Sequence, residues 1–205
     1  AHKGVLFLDE ISEYRRDVLE LLRQPLEEKR VTISRSTMTV DFPAEFILIA
    51  SSNPCPCGYY GDPRRECHCT INQVRRYRNK ISGPLLDRID LQLEVPSLNV
   101  DELTEYKKGE KSKKIRERVI AAQKIQQFRY KNKNLINNSQ LSGENLNKYC
   151  KLHKNDKILL KNAIRELGLS ARAYDRILRV ARTIADLEAK ENIESGHLAE
   201  AIQYR

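Results

Sequence analysis

Strand-like runs in this chain all lie ahead of Pro96, and from Ser97 onward only helical patterns occur. That segregation predicts an α/β portion followed by an all-helical one. In the first portion, "VLFL" at 5–8 and "EFILIA" at 45–50 are near-continuous apolar runs, the pattern of buried parallel strands. The segment between them holds "ISEYRRDVLELLRQPLEEK", where Val18, Leu21, Leu22 and Leu26 recur at helical spacing and Pro25 ends or bends the helix. It also holds two alternating runs, Val31 and Ile33, then Met38 and Val40, on either side of Arg35-Ser36. These predict a β-hairpin over 30–42. A parallel sheet covered on both faces is expected, with a further strand over 89–95 and short helices on either side of Ser82-Gly83-Pro84. Beyond Ser97, helices are expected at about 112–131, 143–151, 154–167, 170–190 and 195–204. Gly168 stands where a helix C-cap belongs and Ser170 where the next N-cap belongs. The Lys/Arg-rich stretch 107–133 reads partly as a solvated arm.

The chain has 205 residues, 40% of them apolar, which predicts a folded core and not disorder. It has no apolar run long enough to span a bilayer, so no membrane association is expected, and no signal-peptide pattern, which points to the cytoplasm. A first residue set against a strand suggests a piece of a longer protein. Thirty-seven basic residues against 28 acidic ones give a formal net charge of +9, which favours an anionic partner, nucleic acid first.

Four positions carry chemistry-bearing residue types. Asp9-Glu10 comes directly after the first strand; a carboxylate there can help hold Mg²⁺ and its neighbour can position a water, or the pair can simply cap the next helix. Asn53 ends the second strand and can bond a water or phosphate oxygen, or serve an Asn-Pro turn. Arg88, in "LLDRID", can reach a phosphate or pair with Asp87 or Asp90. Arg172, in "LSARAYDRILRVARTIADL", opens a helix whose stripe of Ile177, Val180, Ala181 and Ile184 should face a helical core.

Their order is more specific than any one of them. "GVLFLDEI", "SSNPCPCGYYGD", "QVRRYRNKISGPLLDRIDL" and "LSARAYDRILRVARTIADLE" together resemble the AAA+ ATPases, most of all the magnesium-chelatase-like ComM/YifB group, along essentially the whole chain. The resemblance implies the C-terminal half of an α/β ATPase core over 1–96 and a helical lid over 97–205. It implies ATP and Mg²⁺ as cofactors, with Asp9 and Glu10 as the Walker B pair: Asp9 in the Mg²⁺ shell, Glu10 activating water. It further implies Asn53 as sensor 1, Arg88 as an arginine finger, and Arg172 (or, as the weaker choice, Arg176) as sensor 2. The hairpin would be a pore insertion, with Arg35 near its tip on a nucleic-acid backbone. The full-length protein would be a hexamer-like homo-oligomeric ring that moves DNA, as in branch migration during natural transformation. The G-x-x-x-x-G-K-[ST] loop of the family is not found, and "KKGEKSKK" at 107–114 does not replace it. Alone, the chain is expected to bind ATP poorly and to be monomeric. A magnesium chelatase that metallates a porphyrin, or a non-catalytic DNA-binding module, are the alternatives.

Cys55, Cys57, Cys67 and Cys69 form a Cys-x-Cys…Cys-x-Cys loop, and Cys150 stands apart. Four soft ligands favour Zn²⁺, with His68 as an alternate ligand; free thiols or a disulfide are the other readings.

Overall fold

The computed structural model describes residues 1–96, 109–131 and 135–205. It divides into two compact units, Ala1–Ile89 and Asp90–Arg205. The expected domain start at Ser97 lies outside the described residues, as do the parts of the basic arm within 97–108 and 132–134.

In the first unit, β1 (Val5–Leu8) and β4 (Ile47–Ala50) pair in parallel, Val5 opposite Ile47 and Leu8 opposite Ala50. The intervening chain supplies α1 (Arg16–Glu20), α2 (Arg23–Glu28) and the antiparallel hairpin of β2 (Arg30–Arg35) and β3 (Met38–Pro43). Two short helices, α3 (Ile71–Arg78) and α4 (Gly83–Leu86), come after the cysteine loop. The unit's core is small: Ile11, Leu19 and Leu85, flanked by Leu8, Leu22, Leu26 and Ile81.

Three expectations change here. The helix after β1 is two short helices, not one. Pro25 sits in the first turn of α2, where its missing N–H breaks no intrahelical bond, so the break falls ahead of it at Leu21-Leu22. The buried face keeps one helical phase across the break, with Leu19, Leu22 and Leu26 at i, i+3 and i+7 facing the core, while Val18 and Leu21 face solvent. The sheet is covered on one face only among the described residues, because Val5, Phe7, Ile47 and Ile49 share the opposite face and remain about half exposed. Residues 89–95 form no strand. Their alternation fits the period, but a strand needs a ladder partner, and Leu91, Leu93 and Val95 are exposed.

The second unit is helical: α5 (Ser112–Tyr130), α6 (Gly143–Tyr149), α7 (Lys154–Glu166), α8 (Ala171–Leu187) and α9 (Ser195–Gln203). Helix α8 is central. Ile177, Leu178, Ala181, Ile184 and Ala185 repeat at i, i+1, i+4, i+7 and i+8, and all are buried with Leu141, Leu146, Leu160 and Leu198. The α7–α8 joint obeys its local code. Gly168 takes φ +61° and the Leu169 N–H bonds the Ile164 carbonyl at 3.0 Å, closing a Schellman turn. Ser170 then accepts the Ala173 N–H at 3.2 Å as N-cap of α8. The arm is only partly solvated, because Ala122, Gln126 and Tyr130 form a buried edge of α5.

Charge is also buried in this unit. The Asp186 carboxylate, fully enclosed, accepts Arg129 Nη1 at 2.9 Å, Arg182 Nε at 3.1 Å and Asn138 Nδ2 at 2.8 Å. Arg182 donates its other N–H groups to the Lys190 and Glu191 carbonyls, which closes the turn after α8. Among the described residues no helix is long and apolar enough to cross a membrane.

Candidate functional site

The C-terminal ends of two parallel strands point the same way, so the residues just past β1 must meet those just past β4. Asp9-Glu10 and Ser51-Ser52-Asn53 are those residues. Ser51 Oγ donates to Asp9 Oδ1 at 2.5 Å and accepts the Glu10 N–H at 2.9 Å. Asn53 Nδ2 donates to Glu10 Oε1 at 3.3 Å. Beside them, Ser12 Oγ and Ser52 Oγ share a hydrogen bond at 2.7 Å, and the Ile11 N–H bonds the Ser51 carbonyl at 2.8 Å. Glu10 sits at φ +49°, ψ +51°, a left-handed conformation that L-residues adopt at a cost of order 1–3 kcal/mol. That kink ends β1 and turns the Glu10 side chain across to Asn53.

Asp9, Glu10 and Asn53 are all exposed, so the site is an open cluster of hard oxygen donors. Carboxylate and hydroxyl oxygens are what Mg²⁺ takes from a protein, usually one or two carboxylates with the remaining positions left to water and phosphate. Sequence reasoning misses the two serines. The signal available is their position, polar residues placed directly after a β-strand that pairs with the one carrying the acids.

Arg88 lies 8% exposed. Its guanidinium is held by the Glu27 carboxylate and by the Pro84 carbonyl at 2.7 Å, and its Nε has no partner among the described residues. Neither Asp87 nor Asp90 holds it; Asp90 pairs with Arg176 instead. In the second unit, Arg172 is exposed in the first turn of α8. Arg35 ends β2 opposite Met38 and is exposed at the hairpin tip.

The four loop cysteines come together. Cys55 Sγ lies 3.3 Å from Cys57 Sγ and 3.7 Å from Cys67 Sγ, and all four sulfurs lie within 4.8 Å of one another. All are free thiols; His68 is exposed and outside the group. The Tyr59 backbone amide draws the Cys57 thiol down to about 6. The Cys69 amide favours the Cys67 thiolate, but desolvation and the crowding sulfurs outweigh it and push Cys67 up to about 12.

Two family models match this chain: magnesium chelatase, subunit ChlI, over residues 1–103, and the C-terminal domain of the same subunit over 109–205. Similar proteins include YifB of Salmonella typhimurium and the competence protein ComM of Haemophilus influenzae, each 45% identical across all of this chain. YifB of Escherichia coli is 42% identical across the same span. The chain belongs to the ComM/YifB group of magnesium-chelatase-like proteins. It spans about two fifths of the length of those relatives, 40% of Salmonella YifB and 39% of ComM. In this ComM/YifB-type chain, the acid-and-amide cluster and the cysteine loop both fall within the first matched family model, and α5 to α9 fall within the second.

Proposed function

We propose that this chain is part of an ATP-hydrolysing AAA+ motor that forms a ring and acts on DNA. The observation that carries the reading is the meeting of Asp9, Ser51, Glu10 and Asn53 at the ends of β1 and β4. Phosphoryl transfer needs little covalent chemistry from a protein; it needs charge and water held in place. Asp9, fixed by Ser51, presents a carboxylate to the metal that accompanies ATP. That metal would offset charge on the transferring phosphoryl group. Glu10 accepts the proton of the attacking water, and Asn53, bonded to it at 3.3 Å, sets its direction and senses the phosphate. Arg88 completes the site of a neighbouring subunit once it leaves Glu27, and Arg172 contacts nucleotide from the lid.

DNA as the polymer moved is supported by the net charge of +9, by Arg35 at the exposed hairpin tip, and by the likeness to a competence protein. The matched family models are named for magnesium chelatase, which keeps a porphyrin-metallating ATPase as the second reading.

The test is ATP turnover by the full-length protein with and without branched DNA. The expected result is hydrolysis stimulated by DNA. Glu10→Gln should lower turnover by roughly 10²- to 10⁴-fold with nucleotide binding retained. Unchanged turnover in that variant refutes the role given to Glu10, and stimulation by a porphyrin in place of DNA supports the chelatase.

A further inference from the structure

The segment from Pro54 to Cys69 connects the end of β4 to the start of α3. It forms no helix or strand. From Cys55 to Cys69 it contains no Leu, Ile, Val, Met or Phe, so it has no aliphatic core of its own. Loops of this length without secondary structure are uncommon in compact domains, and small units lacking a core are stapled by disulfides or metal. Disulfides are absent here, since every cysteine is free.

The sulfur geometry supplies the staple. Zn–S bonds of about 2.3 Å in a tetrahedron put sulfurs about 3.75 Å apart. The observed separations are 3.3 Å for Cys55–Cys57, 3.7 Å for Cys55–Cys67 and 3.6 Å for Cys57–Cys67. A disulfide would bring one pair to about 2.05 Å and leave the others apart. Instead, several sulfurs crowd at the spacing of a shared central cation. Cys55 is fully buried and the other three are half-buried, the arrangement of a closed structural site and not an open catalytic one. The turns that aim the thiols inward are built in: Gly58 takes φ +84° and its N–H bonds the Cys55 carbonyl at 3.0 Å.

The loop's outer side is then tied to its neighbours. Arg78 of α3 donates to the Pro54 carbonyl at 3.2 Å and lies over the Tyr60 ring at 4.9 Å. Within the loop, Arg65 donates to the Tyr59 hydroxyl at 2.8 Å. Thr70, next to Cys69, caps α3 in a capping box with Gln73. The cluster therefore joins the end of β4, two residues past Asn53, to the start of α3.

We infer that Cys55, Cys57, Cys67 and Cys69 bind one structural Zn²⁺ that clamps the chain beyond Asn53 against α3. Binding replaces the thiol protons with the metal and releases them to solvent. The inference rests on the four ligands and stands apart from the role proposed for Asp9 and Glu10.

The experiment uses the whole 205-residue chain, purified under reducing conditions without chelator from zinc-supplemented cells, and measures zinc and iron by elemental analysis. About one zinc per chain and negligible iron is expected. Less than about a tenth of an equivalent of zinc, or stoichiometric iron in its place, overturns it. The double variant Cys67→Ser/Cys69→Ser should lose the zinc; zinc retained at the wild-type level overturns the ligand assignment. Should that variant not fold, Co²⁺ exchanged into the wild-type protein gives the same answer: thiolate-to-cobalt charge-transfer bands with tetrahedral ligand-field bands are expected, and octahedral spectra overturn it. The clamp is read by limited trypsin digestion at Arg64 and Arg65. Chelated protein should be cut at least roughly tenfold faster there than metallated protein, because such cleavage tracks the population of the opened loop. Equal rates show that the metal does not hold the loop and overturn the clamp.

Discussion

Asp186→Ala tests whether buried charge organises the helical unit. The Asp186 side chain is wholly enclosed, Arg182 is 3% exposed and Arg129 is 16% exposed. Removing the carboxylate leaves two guanidinium groups in a site that water barely reaches. Breaking a buried ion pair from one side costs about 3–5 kcal/mol, far more than the pair itself contributes, because the partner stays buried and uncompensated. Arg182 keeps the Lys190 and Glu191 carbonyls, which places the expected loss toward the lower end of that range. With a urea slope of about 2 kcal/mol/M, the midpoint followed by far-ultraviolet circular dichroism should fall by roughly 1.5 M or more. Arg129→Met is the comparison. It leaves Asp186 with Arg182 and Asn138, so it removes both charged hydrogen bonds from Arg129 without orphaning a charge, and a smaller loss than that of Asp186→Ala is expected. A loss below about 1 kcal/mol for Asp186→Ala, or a larger loss for Arg129→Met, would refute the reasoning.

Two further perturbations address the first unit. Glu27→Gln removes the carboxylate on Arg88, whose Nε has no partner among the described residues; destabilisation of about 1–3 kcal/mol and faster tryptic cleavage after Arg88 are expected, and unchanged cleavage counts against a held guanidinium. Lys3 and then Lys29 hold the Glu45 carboxyl down at about 2 against an ordinary 4.5, so its contribution is complete above pH 4.5 and fades as pH falls toward 2. The urea midpoint of Glu45→Gln should therefore lie below that of the unaltered protein at pH 6 and converge on it in acid; a gap that does not narrow with acid contradicts the pairing.

The features legible in the sequence are local. Gly168 and Ser170 act through the backbone of adjacent turns, and the α8 stripe repeats over a long helix, so both can be read in a short window. The phase of 16–28 cannot be read that way. Val18, Leu21 and Leu22 fit one helix face, Leu19, Leu22 and Leu26 fit the next, and only packing against Ile11 and Leu85 selects the second. Residues 89–95 fail for a related reason: alternation is necessary for a strand, but pairing is a property of the partner. Charged residues are the least legible. Arg88 reads in sequence as a phosphate contact or a partner of Asp87 or Asp90, and Arg129 lies in the basic arm, yet the carboxylates that pair with Arg88, Arg129 and Arg182 stand 61, 57 and 4 positions away. No periodicity encodes the first two pairings.

The acid-and-amide cluster shows why its serines are hard to see in sequence. A carboxylate is visible there because its chemistry is its own, whereas Ser51 matters through what it touches. Its hydroxyl accepts the Glu10 N–H and donates to Asp9, so one side chain fixes both acids. Glu10 is held in a left-handed conformation, which persists only where surrounding bonds over-determine it. Those bonds come from the Ser51 hydroxyl, from the Ser51 carbonyl to Ile11 N–H, and from Asn53 to the Glu10 carboxylate. All three originate on the segment that leaves β4, and that segment runs within two residues into the buried Cys55. The direction of Glu10 is thus set by Ser51, whose N–H bonds the Leu8 carbonyl at 3.0 Å at the end of β1, and by the anchoring of Asn53. A loosened cysteine loop would free Asn53 first, and with it the contact that turns the Glu10 carboxylate toward β4.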